Sequence, residues 1–149
     1  MNSLPMISCF LILALFNAVN GVVHRDCGSK TGKILAFEAF GCYQRHRCDL
    51  RPGQNQTIEI KFAALQNSHT LQVRAFGIIG GRTHEFQMKN RDVCRYDINC
   101  PMQKGNEYIY QTTIYIDPKF PRVSMVVKWE LQDDNHDDVI CIMVPAKIV

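Results

Sequence analysis

The side chains able to do chemistry fall in a few short runs. "CRYDINCPMQKG", Cys94 to Gly105, holds two cysteines with five residues between them. Such a pair can bind a metal, cycle between thiol and disulfide, or close a loop. The densest acidic run, "DDNHDD", sets Asp133, Asn135 and Asp137 at the spacing that opens a calcium loop. That loop also needs a glycine and a closing glutamate, where this chain has Asp138 and Val144. A solvated hairpin turn is the better reading, with a weak metal contact through His136 as the alternative. His24, His46, His69 and His84 are scattered, without a carboxylate or cysteine at a telling spacing. The sequence has no Gly-x-Ser-x-Gly elbow, no His-Glu-x-x-His and no phosphate-cradling glycine loop. No enzyme, catalytic residue or cofactor is expected.

The role of the cysteines depends on the compartment. The chain opens "MNSLPMISCFLILALFNAVNG", uncharged through Gly21, with a largely apolar run from Ile7 to Phe16. That run suits a secretory leader, although the usual basic start is missing. It is too short for a membrane span, which needs about 20 apolar residues. Val19 and Gly21 fit cleavage after Gly21. The expected organisation is a signal peptide over 1–21 and one domain over 22–149. The seven cysteines become six when Cys9 leaves with the leader. An even number in a small secreted chain reads as a disulfide framework. Cys42 and Cys48 are near neighbours, as are Cys94 and Cys100, which leaves Cys27 and Cys141 near the two ends. A zinc site would want closer cysteine pairs and histidines at set offsets. The opening run is therefore read as a stapled loop, and no metal site is expected. "NQT" at Asn55–Thr57 follows the turn signal "RPG" and is the candidate glycosylation site.

The formal charge is +3, with no dense block of lysine or arginine. Nucleic acid is not an expected partner. Arg45, Arg47 and Arg51 read as a solvated loop, with contact to anionic lipid headgroups as the alternative.

The positioning elements are strands. "TIEIKFAAL" puts Ile58, Ile60, Phe62 and Ala64 on one face, against Thr57, Glu59 and Lys61. "TLQVRAFGII" turns Leu71, Val73 and Ala75 inward. "VSMVVKWEL" sets Val123, Met125, Val127, Trp129 and Leu131 against Ser124, Lys128 and Glu130. These are half-buried strands with period two. "ILAFEAF", "THEFQM", "YIYQTTIYI" and "VICIMVPAKIV" complete about seven. Gly80-Gly81 predicts a hairpin turn with positive φ at both central residues. The expected fold is all-β, an antiparallel sandwich of immunoglobulin type. Tyr108, Tyr110, Thr112, Ile114 and Ile116 share one side of their strand. Composition alone leaves open a filled core or one that holds a ligand.

Four runs together resemble the Niemann–Pick C type 2 family: "HRDCGSK", the Cys42/Cys48 pair, "NCPMQKG", and "KWELQDD" with Cys141 beyond it. These are small secreted sterol carriers with the ML lipid-recognition domain. The resemblance covers essentially all of 22–149. It implies the pairing Cys27–Cys141, Cys42–Cys48 and Cys94–Cys100, and a hydrophobic cavity between the sheets. By position, Phe86, Ile116, Phe120 and Trp129 would line mouth and wall, with Phe62 and Tyr108 as neighbours. The vertebrate proteins are proline-rich before the fourth cysteine of the framework, whereas "GGRTHEFQMKNRDVC" has no proline. The expected function is a sterol carrier that transfers its ligand between membranes. It would act as a monomer, through transient membrane contact or a membrane sterol transporter. The expected location is secreted, or the endosomal or lysosomal lumen. The rival readings are a carrier of fatty acids or semiochemicals, a microbial-lipid recognition module, and a cavity-free adhesion domain.

Overall fold

A computed structural model describes residues 22–42 and 46–149; the expected leader and Arg45 lie outside them. Among the described residues, nine strands and one helical turn follow in the order β1 (Arg25–Asp26), β2 (Gly32–Ala39), β3 (Cys48–Leu50), β4 (Asn55–Ala64), β5 (Gln72–Ile79), β6 (Arg82–Glu85), α1 (Val93–Tyr96), β7 (Glu107–Tyr115), β8 (Ser124–Gln132) and β9 (Asp138–Ile148). The two strands beyond the expected seven or so are β1 and β3, of two and three residues, too short to show any periodicity.

The larger sheet runs β1-β9-β8-β5-β6, with β3 also paired to β9, and the smaller runs β2-β4-β7. One pair departs from the antiparallel expectation: β3 lies parallel to β9, Cys48 opposite Ala146. The alternation seen in the sequence sets the inner faces. Ile58, Ile60, Phe62 and Ala64 of β4 are buried, as are Val73 and Ala75 of β5 and Met125, Trp129 and Leu131 of β8. Each fully buried Ile, Leu or Phe contributes about 1.5–3 kcal/mol relative to exposure. Gly80 and Gly81 have φ of 55° and 76°, the mirror-image turn that matches strand twist in the β5–β6 hairpin. "DDNHDD" is the β8–β9 turn. The buried Asp133 carboxylate accepts from the Asn135 and Asp137 N–H groups and from the Thr31 hydroxyl, all at 3.0 Å.

The three disulfides among the described residues are Cys27–Cys141, Cys42–Cys48 and Cys94–Cys100. The first ties the chain's start to β9. The second joins Cys42, beyond β2 of the smaller sheet, to Cys48 at the start of β3 in the larger. The third closes the loop around α1, whose first turn is capped by Asp92 accepting from Cys94 N–H.

The sheets come closest along β2 and β9. Gly32 is the contact: a Cβ there would lie 2.6 Å from the Val139 carbonyl oxygen and 2.7 Å from Val139 Cγ1. Gly32→Ala will therefore force the sheets apart at this line. The expected loss is about 1–3 kcal/mol, as for other overpacked cores, read as a lower urea midpoint at unchanged slope.

Candidate functional site

Aromatic side chains of both sheets meet in the interior. Phe62 on β4 stands opposite Tyr108 on β7, with ring centroids 5.8 Å apart in a stacked arrangement. The Tyr108 hydroxyl accepts from Gln103 N–H at 2.8 Å, which anchors the ring to the segment after the Cys94–Cys100 loop. Two residues along β7, Tyr110 reaches across to Trp129 of the larger sheet, centroids 6.4 Å apart. Burial pushes the Tyr110 hydroxyl up to about 12, so it stays protonated across the physiological range. The Trp129 ring nitrogen comes near this hydroxyl but makes no hydrogen bond. It is the buried side-chain polar atom left without a partner among the described residues. Such a donor costs roughly 1–3 kcal/mol while unpaired.

Phe86 follows β6, its N–H bonded to the Ala75 carbonyl at 2.8 Å. Its ring lies over Gly77 of β5. A Cβ on Gly77 would meet Phe86 Cζ at 2.8 Å and Met125 Sδ at 3.4 Å. The glycine is thus a seat for the ring. The sequence reading did not single it out, although a glycine inside a strand pattern is a signal of close approach.

Ile116 and Phe120 stand elsewhere. They belong to the connection that carries the chain from β7 of one sheet to β8 of the other. Ile116 is buried, its backbone paired with Gln54 and Gly53. Phe120 is 43% exposed in a turn closed by its N–H on the Asp117 carbonyl. The structure therefore pairs Phe62 with Tyr108, sets Trp129 against Tyr110, seats Phe86 on Gly77, and places Ile116 and Phe120 on the connection between the sheets.

On the outer face of the larger sheet, Glu130, on the polar side of its strand by alternation, is only 5% exposed. It lies beside the Cys27–Cys141 bridge, pairs with Lys128 at 2.8 Å, and has Arg74 as a cross-strand neighbour. Glu130, Asp138 and Cys141 bring three ligand atoms within 4.8 Å of one another. Cys141 sulfur is bonded to Cys27 and offers no thiolate. Burial, and then the Glu130 charge, raise Asp138 above the usual carboxylate value, against the opposing pull of Gln132, Lys128 and Arg74. A raised value means that the folded state binds the proton more tightly than the unfolded chain. This carboxylate therefore weakens the fold at neutral pH, and the penalty fades as pH falls through its folded value toward about 4. Asp138→Asn should raise the melting temperature at pH 7, with the gap closing on acidification. A gap that widens in acid would contradict the assignment.

Comparison with known proteins places the chain. The ML-domain family model matches residues 21–148. The NPC intracellular cholesterol transporter 2 homolog a of Drosophila melanogaster is 32% identical over 145 residues, covering 96% of each chain. NPC intracellular cholesterol transporter 2 of Danio rerio is 33% identical over 124 residues, covering 83% of each. A crystal structure of a Niemann-Pick type C2 protein from the Japanese carpenter ant superposes with a TM-score of 0.81 at 24% identity, over 85% of this chain and 99% of that one. The same immunoglobulin-like sandwich is thus shared. The chain belongs to the ML-domain family, in its Niemann–Pick C type 2 group.

Proposed function

We propose that the chain carries a sterol between its two sheets and hands it to membranes or to a membrane sterol transporter. It acts as a monomer, secreted or within the endosomal and lysosomal lumen. What supports this reading is that the Phe62–Tyr108 stack, the Tyr110–Trp129 contact between the sheets and the Gly77-seated Phe86 set aromatic rings on the inner faces of both sheets. A rigid, nearly apolar ligand suits such a wall. Burying on the order of 300–400 Å² of apolar ligand surface gives about 8–10 kcal/mol at roughly 25 cal/mol/Å². Association costs of several kcal/mol reduce this to a tight but reversible affinity. No reaction is needed, only shielding in transit and release.

Release needs contact with a bilayer. Phe120 is exposed between Lys119 and Arg122, themselves exposed, on the turn that bridges the sheets. An apolar ring flanked by cations fits an anionic membrane surface, at about 1 kcal/mol for each cation.

The deciding experiment is mass spectrometry of lipid extracted from protein purified without detergent from a secreting eukaryotic host. Near-equimolar sterol is expected. Fatty acid alone would replace the sterol with an acid ligand. No lipid, and no uptake of added sterol or oleate, would refute the carrier reading.

A further inference from the structure

We propose that Asn55 carries an N-linked glycan whose first sugar lies against Tyr115 and Phe40 and keeps the free edge of the smaller sheet from pairing with another chain. Asn55 is exposed, the first residue of β4, with Thr57 of its sequon on the same outer face. Its side-chain amide makes no hydrogen bond to a described residue. Tyr115 is its direct cross-strand partner, which places the two Cβ atoms about 4.5–5.5 Å apart. On the other side, Phe40 N–H bonds the Thr57 carbonyl at 3.0 Å. Both aromatics are open to solvent, Tyr115 at 56% and Phe40 at 42%. Beside Phe40 and Asn55 is a recess of about 100 Å³, lined also by Asp49, Arg51, Gln54, Gln56 and Ile116. A pyranose has apolar C–H faces and a rim of hydroxyls. It meets aromatic faces on two sides and polar groups at its base.

The neighbouring strand shows what the sugar would protect. β7 pairs only with β4 and closes the smaller sheet among the described residues. It is nine residues long and pairs without a register shift. Its outward row is Glu107, Ile109, Gln111, Thr113 and Tyr115, with a single charge, and Ile109 is 54% exposed. Long regular edges are templates for a foreign strand, and proteins blunt them with lysine, proline, bulges or a cover. None of the first three is present on β7. A glycan one strand inward, held over Tyr115, supplies the cover at the Tyr115 end of this edge.

Thr57 Oγ1 shares a hydrogen bond with Thr113 Oγ1 at 2.8 Å, and both backbones are fixed in the ladder. The sugar is therefore added before β4 pairs with β7. The donor is a polyprenyl-pyrophosphate-linked oligosaccharide. Asn55 Nδ2 forms a bond to C1 of its terminal N-acetylglucosamine, the C1–O bond to pyrophosphate breaks, and the amide loses one proton as polyprenyl pyrophosphate departs.

The test uses the full chain made in a secreting eukaryotic host. Intact mass of the secreted protein should fall by a whole glycan on treatment with peptide N-glycosidase, leaving aspartate at position 55, and Asn55→Gln should not shift. A secreted, oxidised chain with bare Asn55 overturns the proposal alone. A chain retained in cells with its leader attached and cysteines reduced overturns the lumenal route and the proposal with it. Native deglycosylated protein and Asn55→Gln should both self-associate by light scattering, and Tyr115→Lys added to Asn55→Gln should restore the monomer. Monomers in every case would overturn the edge-covering role. Tyr115→Ala should speed glycosidase release several-fold, and an unchanged rate would overturn the seat. None of these readouts depends on which lipid is carried.

Discussion

Replacing Cys27 and Cys141 together by serine will cost the fold about 4–5 kcal/mol, against about 2 kcal/mol for the Cys42/Cys48 pair. The chain-entropy model ties stabilisation to the loop that a bridge closes in the unfolded state. The sequence separations are 114 and 6 residues. The long bridge constrains nearly the whole domain, and the short one only a turn. A typical domain has a net stability of about 5–15 kcal/mol, so this loss removes between roughly a quarter and nearly all of it. Urea unfolding of the two serine variants, each with its other bridges oxidised, measures both losses. Equal losses would show that native contacts near the bridges, such as the Cys27 N–H bond to the Cys141 carbonyl at 2.9 Å, outweigh loop length.

Phe86→Ala will weaken binding of a labelled sterol by roughly fifty- to a hundredfold. The ring contributes on the order of 100 Å² of apolar surface, which at about 25 cal/mol/Å² is near 2.5 kcal/mol. Gly77→Ala tests the same wall from the other side. Its new methyl would stand 2.8 Å from Phe86 Cζ. The half-buried ring can tilt outward, so the fold should lose little while binding falls several-fold. Fluorescence titration with a sterol probe, alongside thermal melts, separates the two effects. Unchanged affinity in both variants would remove Phe86 from the ligand wall. A loss of melting temperature that matches the loss of affinity would make Gly77 a packing residue only.

The strands were legible where their two faces differ. β4 reads directly from Ile58, Ile60, Phe62 and Ala64 against Thr57, Glu59 and Lys61, and its burial follows that order. β3 was not legible. Three residues show no period, and its parallel pairing with the far end of the chain is a tertiary event. Glu130 shows a different limit. Alternation assigns it to the outer face of β8, which is where it lies. Alternation does not reveal that the Cys27–Cys141 bridge, Lys128 and Arg74 crowd that face. Gly77 carried a visible signal, but which ring it receives depends on the fold of the β5–β6 hairpin and the path of the chain after it. Alternation puts Ile116 on the buried side of its strand, which is where it lies, but spacing says nothing about Phe120, whose place is set by a crossover between sheets.

The contact of Gly32 with Val139 sets how this sandwich can breathe. With β2 and β9 pinned backbone to side chain along one line, a change in the gap between the sheets is a rotation about that line rather than a uniform separation. Displacement then grows with distance from it, smallest near Gly32 and largest toward β6 and β7. Guests of different bulk would be accommodated by one angular coordinate, and exchange would take place along the side remote from this spine.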